Sequence, residues 1–123
     1  TDEDSNPRAM KWLAYKRIRV YSDPIDFRKQ MNGIIQVIHE EEGEAPQKEC
    51  VYVFRNKQSN KLKLLVWDRN GYFLGYKRLD KGRFDFPVSQ DGGVSLTKEE
   101  FFELVSGMPM VHIKAIKKEL FYH

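Results

Sequence analysis

Two β-prone runs, Leu62-Lys63-Leu64-Leu65-Val66-Trp67 and Tyr72-Phe73-Leu74-Gly75-Tyr76-Lys77, flank Asp68-Arg69-Asn70-Gly71. Asn-Gly between such runs is the strongest short-range hairpin signal, so the fold must be built around this ribbon. A two-residue Asn70-Gly71 loop would set Leu64 opposite Lys77 and mix the two faces. A three-residue loop, with Gly71 at the position needing φ > 0, pairs Val66 with Leu74, Leu64 with Tyr76 and Leu62 with Arg78. That register gathers one nearly apolar face for a core and is the expectation. The opposite face then pairs Trp67 with Phe73, Leu65 with Gly75 and Lys63 with Lys77.

The ribbon also concentrates charge. Between residues 51 and 87 stand nine basic residues (Arg55, Lys57, Lys61, Lys63, Arg69, Lys77, Arg78, Lys81, Arg83) against three acids (Asp68, Asp80, Asp85), a local balance of +6 in a chain whose total is +3. Segregated charge makes a local field that attracts anions. Lys63 facing Lys77 costs a few tenths to about 1 kcal/mol unless something negative lies between them. The functional reading is a nucleic-acid platform. The nine cations meet phosphates, and Trp67 and Phe73 stack bases or fill a groove. Arg28 and Lys29 join the candidates, because cations early in a helix gain nothing from its dipole. The competing reading is a solvated outer face whose aromatics pack under a helix, with Asp80 and Asp85 neutralising Lys81 and Arg83. The second arm is read as running on past Lys77, with Gly82 turning the chain and Pro87, which has no N–H, ending the pairing.

Elsewhere the pattern predicts helices packed on a sheet. Arg17-Ile18-Arg19-Val20-Tyr21 alternates as a first strand with Ile18 and Val20 inward. Asp23, Pro24 and Asp26 suit N-cap, N1 and N3 of a helix whose stripe is Phe27, Met31, Ile34, Ile35 and Ile38. Gly33 within it costs about 1 kcal/mol against Ala, and close packing on the sheet would explain it. Glu40-Glu41-Glu42 oppose the dipole, so fraying is expected before Gly43. Cys50-Val51-Tyr52-Val53-Phe54 reads as a second strand, followed by a polar Asn56–Asn60 connection. Thr97 with Glu100 forms a capping box and Leu96 with Phe101 a staple. Gly107 and Pro109 stop this second helix, which buries Phe101, Leu104 and Val105.

The expected class is α+β: a small, mostly antiparallel sheet of about four to six strands with a central basic hairpin, packed by two or three helices. Residues 1–15 are expected to be a disordered or non-native start, 16–107 a single globular domain, and 108–123 an amphipathic extension. In that extension Ile113, Ile116 and Leu120 recur among lysines, as a third helix or, over 110–116, a short strand.

Much chemistry is disfavoured. One cysteine, Cys50, excludes an internal disulfide and suits the reducing cytoplasm, where it reads as a small buried apolar residue. No run approaches the ~18 apolar residues of a membrane span. His39, His112 and His123 stand alone, without metal-ligand spacing, and Gly92-Gly93 reads as ordinary turn use. Asp26, Asp68, Asp80, Asp85 and Glu100 are the acids a two-metal nuclease would draw on, but each is already explained as a helix-start, turn or charge-partner residue. No catalytic residue, metal ligand or cofactor is expected.

Several runs carry a resemblance. Phe54-Arg55, Leu62-Lys63-Leu64-Leu65, Trp67-Asp68-Arg69-Asn70-Gly71 and Tyr76-Lys77-Arg78-Leu79-Asp80-Lys81-Gly82-Arg83-Phe84 resemble the Orf2-like accessory protein of insertion-sequence-66 transposable elements, often labelled TnpB. Asp26-Phe27-Arg28-Lys29 followed by Asn32-Gly33 is similar to that family's D-M-R-K…D-G stretch, and Leu96-Thr97, Leu104 and Gly107 to its closing helix. The likeness covers residues 18–107. Residues 1–17 and 109–123 lie outside it, and Asp80 stands where Glu is commoner. The resemblance implies a bacterial mobile-element protein that assists a separate transposase, with no established catalytic residues. Transposon DNA is the expected partner of the basic ribbon. The alternative is a protein-interaction module docking its cationic face on the transposase, with 109–123 suited to that interface or to a homodimer. A metal nuclease using Asp68 and Asp80 is the remote third.

Overall fold

The computed structural model describes residues 16–89 and 93–107. Five strands, β1 (Arg17–Tyr21), β2 (Cys50–Arg55), β3 (Lys61–Asp68), β4 (Gly71–Arg78) and β5 (Gly93–Leu96), form one open sheet in the order β4-β3-β2-β1-β5. Helix α1 (Met31–Glu42) links β1 to β2, which run parallel, and α2 (Lys98–Ser106) follows β5. The other three pairings are antiparallel. This is the α+β, mostly antiparallel architecture that the sequence predicts.

Both faces of the sheet are covered. The middle strand β2 is buried at every position from Cys50 to Phe54, the signature of a strand with layers above and below. On one face Ile18, Val20, Val51, Val53, Leu62 and Val66 meet Phe101 and Leu104 of α2, with Phe84 and Phe86 from the segment after β4. On the other, Tyr21, Tyr52, Phe54 and Leu65 meet Ile34 and Ile38 of α1.

The hairpin takes a register that neither loop reading anticipates. Its loop is Arg69-Asn70, so Asp68 faces Gly71, Trp67 faces Tyr72, Leu65 faces Leu74, Lys63 faces Tyr76 and Leu62 faces Lys77. Arg69, not Gly71, carries the positive φ of 58°, and the Asn70 N–H donates across it to the Asp68 carbonyl at 2.5 Å. Face alternation can choose a register only where one face is buried. With cores on both sides, apolar residues are accommodated either way. Lys63 and Lys77 therefore project to opposite faces, and so do Trp67 and Phe73. Strand β4 ends at Arg78 instead of running on. Gly82 (φ 80°) turns the chain, and the Leu79 and Phe84 N–H groups donate to Asn60 and Ser59 carbonyls.

Helix α1 begins later than expected. Residues 24–30 are not helical; the N-cap is Gln30, which makes no side-chain cap bond. The Ile25 N–H donates to the Arg55 carbonyl, extending the sheet's bonding, and the Asp26 carboxylate accepts from the Arg28 N–H at 2.9 Å. The carbonyls of Phe27 and Lys29, which a helix would turn toward residues 31 and 33, accept from the Lys63 ammonium instead. Tertiary partners thus outbid the Asp23-Pro24 start signal. Gly33 owes its tolerance to a neighbour within the chain, not to the sheet: a Cβ there would stand 3.0 Å from the Lys29 Cβ.

The acidic end of α1 does not fray. It runs to Glu42 and closes on left-handed Gly43 (φ 77°). The Glu42 carboxylate accepts from Arg19 Nε at 2.8 Å and from the Tyr21 hydroxyl, pinning the helix to β1. Gly93 makes room for this pair, since a Cβ there would lie 2.5 Å from the Arg19 guanidinium. Partial burial alone would raise the Glu42 carboxyl, but those two donors outweigh it and hold it below the ordinary range. A depressed carboxyl contributes stability that is present above the unfolded value, about 4.3, and lost as pH falls through the lower folded value. Glu42→Gln is therefore expected to lose about 1 kcal/mol or less at pH 7. Its urea midpoint should converge on wild type as the pH is lowered through that window.

Helix α2 follows its sequence signals closely. The Thr97 hydroxyl accepts from the Glu100 N–H at 3.1 Å, the Glu100 carboxylate accepts from the Thr97 N–H at 2.7 Å, and Gly107 caps in the left-handed region. Leu96, Phe101 and Leu104 are buried, as is Cys50 in β2. The expectations for residues 1–15 and 108–123 lie outside the described residues.

Candidate nucleic-acid interface

One end of the sheet gathers the chain's basic segments. The exits of β1, β2 and β4 and the entry of β3 meet there. The turn between β2 and β3 is built by Asn56, whose Oδ1 accepts from the Lys61 N–H at 3.0 Å and whose Nδ2 donates to Asn60 Oδ1 at 2.6 Å. The Arg55 guanidinium braces this turn against the β1 exit, donating to the Ser22 carbonyl at 2.7 Å and Ser59 Oγ at 3.0 Å. Because the Leu79 and Phe84 N–H groups bond to Asn60 and Ser59, the loop carrying Lys81 and Arg83 is held beside the same turn.

This arrangement puts Lys57, Lys61, Arg78, Lys81 and Arg83 on one rim. Lys61 stands directly opposite Arg78, so a like-charge cross-strand pair exists, with the cost that implies. Among the described residues the cations in ion pairs with acids are Arg19, Arg28 and Arg69. The rim's five are not among them.

Two adjoining grooves open at this end. One, of 360 Å³, is walled by Ile25, Phe27, Lys57, Gln58 and Lys61 together with Asp26 and Arg28. The other, of 240 Å³, lies between Phe27, Lys61, Lys63 and Tyr76. Phe27 and Lys61 are common to both. The Phe27 and Tyr76 ring centroids are 6.4 Å apart with planes tilted 55°, and Tyr76 is 57% exposed.

The family model described as IS66 Orf2 like protein matches residues 16–115, which takes in the whole of this end. The chain belongs to that family. Two curated proteins of Sinorhizobium fredii (strain NBRC 101917 / NGR234) are similar to it. "Uncharacterized protein y4jC" is 36% identical over 98 residues, 80% of this chain and 84% of its own length. "Uncharacterized protein y4hO" is 34% identical over 62 residues, 50% and 54% of the two chains. No solved structure matches. Membership associates the chain with the accessory side of IS66 transposition.

In this IS66 Orf2 like protein the expected site residues part company. Lys63, expected on an open face, is 9% exposed. Its ammonium donates to the Phe27 carbonyl at 2.9 Å and the Lys29 carbonyl at 2.7 Å and lies 4.9 Å from the Phe27 ring. Lys77 sits on the opposite face, donating to the Val105 carbonyl at the C-terminal end of α2, where a cation complements the helix dipole. Trp67 packs edge-on to Tyr72 at the far end of the sheet, beneath the Lys48 ammonium. Arg69 pairs with Asp68 at the hairpin tip. Phe73 is exposed, but on the face away from Trp67. The register puts Lys77 and Phe73 on the face away from Lys63 and Trp67, and the 22–30 segment covers Lys63.

Arg28 and Lys29 precede α1 instead of lying on it. Arg28 grips Asp26 through Nε and Nη2 at 2.7 to 3.1 Å, and these bonds hold the exposed Asp26 carboxyl down to about 2. Phe27, which sequence reasoning assigned to the core, packs against the α1-side core and lines both grooves as well, whereas Tyr76, also assigned to the core, lines a groove instead. A register with Lys63 opposite Tyr76 would have signalled it. Among the described residues no three His, Cys, Asp or Glu side chains come together as a metal site, and no helix is long and apolar enough to cross a membrane.

Proposed function

We propose that the protein assists transposition of its insertion-sequence element by holding DNA on the basic rim, without catalysing a reaction itself. The observation that carries this reading is the rim: two cross-braced loops and two strand ends bring five cations together, none of them in an ion pair with a described acid. Such a surface supplies affinity through phosphates and little sequence information. Lys63 and Arg55 act from behind, setting the loops in place. The element-encoded transposase is the protein partner this role requires, and the cytoplasm is where both would meet DNA. Pull-down of transposase with and without nuclease treatment separates direct contact from bridging through DNA.

The test is a fluorescence-anisotropy titration of labelled duplex DNA at three salt concentrations. Engagement of about five cations gives a slope of log affinity against log salt near −4.5. A flat response, or no binding at low salt, rejects the reading.

A further inference from the structure

We infer that the groove between Phe27 and Tyr76 seats the base of an unpaired nucleotide, so that the protein prefers single-stranded to double-stranded DNA. This rests on the DNA-holding reading above and adds a substrate class to it. Tyr76 is a large aromatic side chain 57% exposed at the centre of a basic end. An aromatic in that position has no role in either core. Its cross-strand neighbour Lys63 is spent on the Phe27 and Lys29 carbonyls, which fixes Phe27 as the second wall. The tilted rings leave an open notch, and Lys61 lines both grooves while Arg78 stands across from it, two residues along β4 from Tyr76 and on the same face.

Each base in a duplex is stacked on its neighbours, so its face is not offered to a side chain. An unpaired base is free to stack on Tyr76 while the flanking phosphates meet Lys61 and Arg78. Stacking of this kind tolerates any base, because each has a π-face. The Gln58 amide, whose oxygen is held by Asn56 Nδ2 at 3.2 Å, adds a polar group beside that notch.

The experiment uses the full chain and a short fluorescein-labelled DNA of mixed sequence, once as a single strand and once annealed to its complement. Wild type should bind the single strand more tightly. Tyr76→Ala should weaken single-strand binding roughly 5- to 100-fold, the range that loss of one stacked base produces, and weaken duplex binding far less. Tyr76→Phe should restore the preference. Phe73→Ala, an equally exposed aromatic on the same strand but the opposite face, should leave the preference as it is; circular dichroism confirms that each variant is folded. Equal affinity for the two DNAs, or equal losses on both in Tyr76→Ala, overturns the inference while a steep salt slope keeps the DNA-holding role. Absence of binding to either DNA overturns both.

Discussion

Lys63→Glu is expected to cost the fold about 3–5 kcal/mol, a large share of the about 5–15 kcal/mol by which a domain is stable. The lysine sits near the start of β3, where the 22–30 segment closes over the sheet. Its ammonium is the partner that lets the Phe27 and Lys29 carbonyls lie there unbonded to a helix. A carboxylate would face the same two oxygens, in the same partly desolvated place, and repel both. Burial already lowers the Lys63 ammonium below its ordinary value, with Asp26 acting in the other direction, so the site has little tolerance for an unpaired charge. Lys63→Met keeps the stem's packing and abandons the two acceptors, so its cost should be smaller, about 1–3 kcal/mol. Urea denaturation of the three proteins gives the ordering. A lysine facing open solvent would leave Glu, Met and wild type with nearly the same midpoint, and that result would remove the structural account of the loop.

Lys61→Glu combined with Arg78→Glu is expected to leave the fold intact and to weaken duplex binding on the order of 10- to 100-fold at moderate salt. Both side chains are at the sheet's open end, opposite each other, and neither is in an ion pair with a described acid. Each lost phosphate contact removes about one unit from the salt slope, so the slope should become shallower by about two. Asp26→Asn should move the other way. It releases the Arg28 guanidinium from its bidentate pair, adding a cation to the rim and steepening the slope by about one. A double reversal that binds like wild type would mean that DNA, if it binds, is held elsewhere.

The parts legible in advance were those whose signals are local. Helix α2 was readable to its ends, because Thr97, Glu100 and Gly107 satisfy the helix's own orphan groups and need no partner from afar. Strand β1 and most of β2 were readable from alternation and from an uninterrupted apolar run. The start of α1 was not, because the groups that decide it are the Arg55 carbonyl and the Lys63 ammonium, each far away in the chain. Nor was the hairpin register, since its choice depended on whether one face or two would be covered.

The basic end shows the same division. Composition alone located nine cations in one stretch of chain, and that count stands whatever the fold. Which of them share a surface was decided by the fold: the hairpin register sent Lys77 to α2 and turned Tyr76 to the other face, while the 22–30 segment closed over Lys63. Charge is a property of the residues, whereas a field is a property of where they end up. The first was settled by covalent order, and the second only when two helical layers closed on opposite sides of the same sheet.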